Sequence, residues 1–255
     1  MKLDAFIGFA TDLKDAGALA RAAEAIGFDA IWTSETQHDP FLPLTHVAAC
    51  TARLRFGTAV AIAFARSPLS VAHTAWDLAK QSNGRFLLGL GTQVQAHIER
   101  RFGMSWTPPV PRLREYVQAL RAVWTAWQTG GRLNFRGSEY KLTLMTPFFS
   151  PGPIDCPDVP IFIAGVGTPL CKLAGEVADG FHVHPFHTRP YLTQVVLPAI
   201  AEGAQKADRT REAIEIATTA IVALSEDEIA AQRQQVAFYA STPSYRPVLD
   251  LHGWG

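Results

Sequence analysis

Apolar residues along this chain fall into two alternating patterns: short runs, and longer stretches in which they recur every three or four positions. Leu3 to Phe9 is mostly apolar, and from Ala16 onward Leu19, Ala20, Ala23 and Ile26 recur at helical spacing behind the capping candidates Thr11 and Asp12. Gly27 closes that helix, Asp29 to Thr33 reads as a second buried strand, and a helix opens near Pro43. Leu54 to Ile62 is the third strand, followed by a Ser67-Pro68 cap and a helix over Leu69 to Ser82. Arg85 to Leu90 is the fourth strand. A loop bearing Gln93 to Pro109 then leads into a helix over Arg112 to Trp127, with Leu113, Val117, Leu120 and Trp124 on one face.

The pattern breaks between Gly130 and Pro160, where a short hairpin turning at Arg136-Gly137 and a proline-rich loop form an excursion over the mouth of the fold. It resumes with a strand over Pro160 to Ala164, a helix over Pro169 to Val177, a strand over Gly180 to Val183 and a helix between Pro190 and Lys206. Ile214 to Leu224 is the seventh strand. Ser225 and Glu228 form a capping box for a helix reaching about Tyr239. Strand–helix alternation predicts an α/β fold with a parallel sheet, and 255 residues match the ~250 of a TIM (β/α)8-type barrel in one domain, with residues 130–160 as an insertion. Only seven strands are identifiable, and the stretch after Tyr239 holds no eighth strand–helix unit. The expectation is therefore a barrel incomplete at its carboxyl end, with a gap beside the first strand.

Hydrophobic residues make up 48% of the chain and charged residues 18%, enough apolar material for one large core. Twenty-three basic residues balance twenty-three acidic ones, with no basic tract interleaved with aromatics. A small-molecule substrate is expected, and neither nucleic acid nor membrane. The amino terminus is too short and too acidic for a signal peptide, and no apolar run is long enough for a bilayer. Cys50, Cys156 and Cys171 show no close pairing and no zinc-type spacing, which fits a reducing cytoplasm and no metal.

Barrel enzymes build their sites from the loops at the carboxyl ends of the strands. Residues 34–40, 59–60, 91–97, 165–168 and 182–187 all occupy such positions. Gly165, Val166, Gly167 and Thr168 are the most informative, since two glycines let backbone N–H groups approach an anion where a helix begins. A tight strand-to-helix turn explains the same glycines equally well. The Gly-Leu-Gly of residues 89–91 lacks the third glycine and acidic partner of a dinucleotide fingerprint.

Three segments, AEAIGFDAIWTSETQHDPFLPL, LRFGTAVAIAFARSPLSVAHTAWDLAKQSNGRFLLGLGTQ and IFIAGVGTPLCKLAGEVADGF, resemble in the same order the luciferase-like, flavin- or deazaflavin-dependent oxidoreductases. The DPFLPL and GTQVQAHIERRFG stretches resemble the branch that uses coenzyme F420. That resemblance covers residues up to about Leu224. It implies hydride transfer between F420 and a small organic substrate, with FMN-dependent monooxygenation on the same fold as the alternative. It also implies a homodimer, a phosphate at the glycine turn, a non-proline cis peptide at Ala59-Val60 beside the ring, cofactor contacts from Thr92, Gln93 and Val94, and a chain that normally continues beyond this one.

Where relatives often carry a histidine, this chain has Thr36. His38 is the nearest imidazole able to exchange protons near pH 7 or polarise a carbonyl, and Glu35 is positioned to accept a hydrogen bond from ring or substrate. These two are the candidates for the catalytic positions, although a loop histidine and a turn-capping carboxylate account for them as well. His182 and His184 share a face, with His184 expected toward the cofactor. A metal-dependent hydrolase would need further ligands, and a cofactor-binding protein without turnover is the remaining alternative.

Overall fold

Alternating strands and helices form throughout a computed structural model that describes residues 1–8 and 11–254. Chain contacts group it into two compact units, Met1–Phe162 and Ile163–Gly255. In the first, β1 (Asp4–Phe6), β2 (Ala30–Thr33) and β3 (Arg55–Thr58) run parallel, with Ala5 opposite Ile31 and Ile31 opposite Phe56. β1 is shorter than the apolar run suggested, and Phe9 lies outside the described residues. All four residues of β2 are buried, as a parallel strand covered on both faces requires. α1 (Ala16–Ile26) buries Ala16, Ala20 and Ala23, and α2 (Leu42–Cys50) buries Leu44, Val47 and Ala48.

Two stretches replace the single third strand: β3 pairs Phe56 with Phe86, and β4 (Ala61–Ile62) pairs Ile62 with Gly91 of β5 (Phe86–Gly91). The Ala59-Val60 peptide between them is cis, where the resemblance placed it. α3 (Pro68–Ser82) starts at the expected cap, with Ser67 Oγ accepting the Leu69 N–H at 3.3 Å. Beyond β5, the expected loop contains α4 (Gln95–Arg100), a run of good helix formers that buries Ile98. α5 (Pro109–Thr129) extends further than its apolar face alone indicated, from a proline in its first turn to left-handed Gly130. The hairpin of β6 (Phe135–Arg136) and β7 (Lys141–Leu142) is antiparallel. It is tied to α5 by Glu115, whose carboxylate accepts N–H groups of Ser138 (2.9 Å), Glu139 (2.8 Å) and Tyr140 (3.3 Å).

β8 (Ile161–Gly165) leads into the second unit, where α6 (Thr168–Val177), β9 (Gly180–Val183), α7 (Arg189–Tyr191), a π-helical turn over Leu192–Val196, α8 (Leu197–Lys206) and β10 (Glu215–Thr218) follow. β9 and β10 are parallel, Gly180 opposite Glu215 through Val183 opposite Thr218. β10 stops there and does not reach Leu224, because β9 itself ends and Pro185, which has no N–H, follows. Val222 and Leu224 are accordingly exposed. α9 (Glu226–Ala240) has the predicted cap, Ser225 Oγ accepting the Glu228 N–H at 3.2 Å. After it come a 3-10 turn over Pro243–Tyr245 and α10 (Arg246–Asp250), with no strand among the described residues there. With β3 and β4 as halves of one interrupted strand, the described residues hold seven strand positions of one mostly parallel sheet besides the hairpin, an α/β fold of the TIM-barrel type.

Candidate functional site

At the carboxyl ends of the first unit's strands, three predicted segments meet. Ala59 N–H donates to the Thr33 carbonyl (2.5 Å) and Glu35 N–H to the Val60 carbonyl (3.2 Å). Val60 in turn lies against Gly91, where a methyl group would stand 2.6 Å from its Cγ2. Glu35, Ala59, Val60 and the start of residues 91–94 are thus neighbours. Gln93 is left-handed (φ 57°), and its side-chain oxygen accepts the Val94 N–H at 2.9 Å. Thr92 Oγ1 donates to the Gln93 carbonyl at 3.0 Å. Thr92 and Gln93 are half-buried, Val94 exposed.

Glu35 has a nearly buried side chain (6% exposed), and its Oε2 accepts both the Ile62 N–H at 2.7 Å and Arg66 Nη1 at 2.5 Å. Arg66 Nη2 reaches Asp39 Oδ2 at 2.9 Å. Burial works against the Arg66 charge, but hydrogen bonding and attraction from Glu35, then from Asp39, outweigh it and hold the guanidinium above its ordinary pKa. The other oxygen of Asp39 accepts the N–H groups of Phe41 (2.8 Å) and Leu42 (3.2 Å) at the start of α2. Arg101 Nη2 donates to the Thr36 carbonyl. Thr36, Gln37 and His38 are exposed, as is His97 on α4. Glu35 is therefore a fixed acceptor, while His38 is free to meet solvent or a ligand. The Tyr116 hydroxyl is fully buried without a hydrogen-bond partner among the described residues, and burial, then Tyr140, pushes its phenol well above the usual range.

In the second unit, β8 ends at Gly165 and Gly167 (φ 84°) precedes α6, a conformation that favours glycine. No side chain among the described residues caps this helix, Pro169 in the first turn has no N–H, and the Thr168 and Leu170 N–H groups lie where α-helices lack internal acceptors. Such a terminus suits an anion. His184, just past β9, is covered: Tyr245 stacks on its ring (centroids 4.3 Å, planes 23°) and Tyr239 meets it edge-on at 4.8 Å. Its Nδ1 accepts the Phe186 N–H at 3.1 Å. Burial, then His187, lowers its pKa to about 4, so the imidazole is neutral near pH 7.

Sequence reasoning missed Arg66 and its pairing with Asp39, Arg101, and the tyrosines over His184. A lone arginine between the third strand and the Ser67 cap was the available signal for Arg66, whereas nothing local tied Tyr245 to residue 184. Among the described residues no three His, Cys, Asp or Glu side chains gather as a metal-binding group, and the three cysteines are free. Burial pushes the Cys171 thiol up to about 12. No helix among them is long and apolar enough to cross a membrane.

The family model for luciferase-like monooxygenases matches residues 2–255. An uncharacterized protein of Mycobacterium tuberculosis is 49% identical over 249 residues, covering 93% of this chain and 73% of the relative. A 5,10-methylenetetrahydromethanopterin reductase of Methanolobus tindarius is 30% identical over 238 residues (92% and 69%). An F420-dependent glucose-6-phosphate dehydrogenase of Amycolatopsis mediterranei is 30% identical over 211 residues (76% and 60%). Among solved structures, a coenzyme F420-dependent tetrahydromethanopterin reductase from Methanopyrus kandleri superposes with TM-score 0.81 at 23% identity, covering 99% of this chain and 75% of that one. The FMN-bound oxygenating constituent of a 3,6-diketocamphane monooxygenase from Pseudomonas putida does so with TM-score 0.70 at 15% identity (100% and 77%). These two establish the fold alone. Together with the motifs and the parallel α/β architecture, the match over residues 2–255 decides the relationship: the chain belongs to the luciferase-like monooxygenase family.

Proposed function

We propose that this chain is an oxidoreductase that transfers a hydride between coenzyme F420 and a small organic substrate. The observation that carries cofactor binding is the glycine turn opening α6. Gly165, Val166, Gly167 and Thr168 offer backbone N–H groups and a helix terminus without a side-chain cap, which fits a phosphate. The deazaflavin, when bound, supplies the hydride chemistry. In the first unit, Ala59, Val60, Thr92, Gln93 and Val94 are the residues proposed to contact the ring, with Glu35 as a hydrogen-bond acceptor. His38 would hold or move the proton.

The preference for F420 rests on the 30%-identical relative named as an F420-dependent glucose-6-phosphate dehydrogenase. FMN-dependent monooxygenation on the same fold is the second reading, supported by the match to the luciferase-like monooxygenase family. A small-molecule substrate and a second copy of the chain are the partners this function implies. Binding titrations with F420 and with FMN, followed by stopped-flow mixing with a panel of alcohol, aldehyde and sugar-phosphate donors, test it. F420 is expected to bind more tightly and to be reduced by at least one donor. Tight FMN binding with no F420 binding would overturn the cofactor assignment.

A further inference from the structure

The loop between β2 and α2, residues 34–40, carries His38 but has no regular secondary structure to orient it. Besides the Glu35 N–H on the Val60 carbonyl (3.2 Å) and Thr33 Oγ1 on the Pro40 carbonyl (2.7 Å), two guanidiniums hold it. Arg66 spans it: one nitrogen binds Glu35 near its start (2.5 Å), the other binds Asp39 near its end (2.9 Å). Arg66 is itself seated over the Phe41 ring, 5.7 Å from the centroid, in the segment that follows β4. Both carboxylates are anchored a second time, Glu35 by the Ile62 N–H and Asp39 by the N–H groups of Phe41 and Leu42, where α2 begins. Arg101, from the end of α4, adds a tether at the Thr36 carbonyl. Gln37 and His38 stay outside this network, exposed at the tip.

Two carboxylates, one of them nearly buried, would repel each other without the cation between them. A planar fork binds both at once with little loss of side-chain freedom, which a single ammonium point charge does less well. We propose that Arg66 is the positioning residue of this site: by bridging Glu35 and Asp39 it fixes the backbone of the loop from which His38 projects. Arg101 serves as the second tether. This inference rests on the proposed role of His38, so its test separates the two.

Amide hydrogen exchange is measured on the full chain for the wild type, Arg66→Met and Arg66→Lys, with no cofactor added. Peptides covering residues 34–42 are expected to exchange about tenfold faster or more in Arg66→Met, because charge-assisted hydrogen bonds are lost there, with Arg66→Lys intermediate and β5 and α5 unchanged. Unchanged exchange at 34–42, or equal acceleration in β5 and α5, overturns the proposal. Should Arg66→Met fail to fold, Arg66→Lys decides by the same criterion. With F420 or FMN bound and a donor that turns over, Arg66→Met is expected to lower kcat by about a hundredfold. In a His38→Gln background it should cost less than about twofold more, since the two act through one group. Losses that multiply would show that Arg66 does not act through His38. Full turnover in His38→Gln alone would defeat the proposed role of His38 and leave the exchange result to decide on Arg66 as the loop's anchor.

Discussion

His184 shows how a single side chain can be read correctly for place and incompletely for environment. Its alternation with His182 put it at the end of β9, but the ring it faces belongs to Tyr245, sixty-one positions later in the chain. Because Nδ1 already accepts the Phe186 N–H, protonation must break that bond as well as charge a half-buried ring. The folded pKa of about 4 lies below the ~6.5 of an unfolded histidine. Between those values the unfolded chain binds a proton that the folded chain refuses, so His184 contributes to a loss of stability as pH falls from about 6.5 to about 4. Urea unfolding at pH 7 and pH 4.5 checks this. The drop in unfolding free energy is expected to be smaller in His184→Phe than in the wild type, and an equal drop in both would refute the assignment.

Among the elements, α6 and α8 approach each other closely, and that approach depends on two glycines. A methyl group on Gly203 would stand 1.9 Å from the Lys172 carbonyl oxygen, and one on Gly175 would stand 2.1 Å from that of Ile200. Both are backbone contacts, so no side chain can swing away. Alanine should gain up to ~1 kcal/mol in helix propensity over glycine, but forcing the helices apart is expected to cost ~2 kcal/mol or more, so repacking wins. Gly203→Ala should therefore lower the urea midpoint by a clearly measurable amount, whereas a raised midpoint would mean the pair can separate freely. The turn at Gly165 to Thr168 opens α6, so this packing also supports the proposed phosphate site.

For the molecule as a whole, burial is unevenly distributed. In the first unit Trp76, Phe86, Leu88, Leu90, Tyr116 and Val117 are all fully buried, while α9 in the second unit buries no residue. Local opening follows the density of buried apolar contacts. Backbone amides of α9 are expected to exchange within seconds to minutes and those of β5 to stay protected far longer, as read by hydrogen-exchange mass spectrometry. Equal protection of the two would contradict this picture and would point to a partner covering α9, whose Phe238 is exposed.

Periodicity in the sequence determined which segments become strands and which helices, because burying one face of a helix or both faces of a parallel strand leaves a local record at fixed spacing. Strand order then placed Glu35, Ala59, Val60 and residues 91–94 at one set of strand ends, and the family motifs marked the cis peptide and the glycine turn. Tertiary structure alone decided which charges met. Arg66 bridges Glu35 and Asp39 across 31 and 27 positions, and Tyr245 lies on His184 across 61. Such pairs depend on where the chain returns in space. An arginine before a helix cap, or a tyrosine in a turn, carries no local sign of the partner it will find.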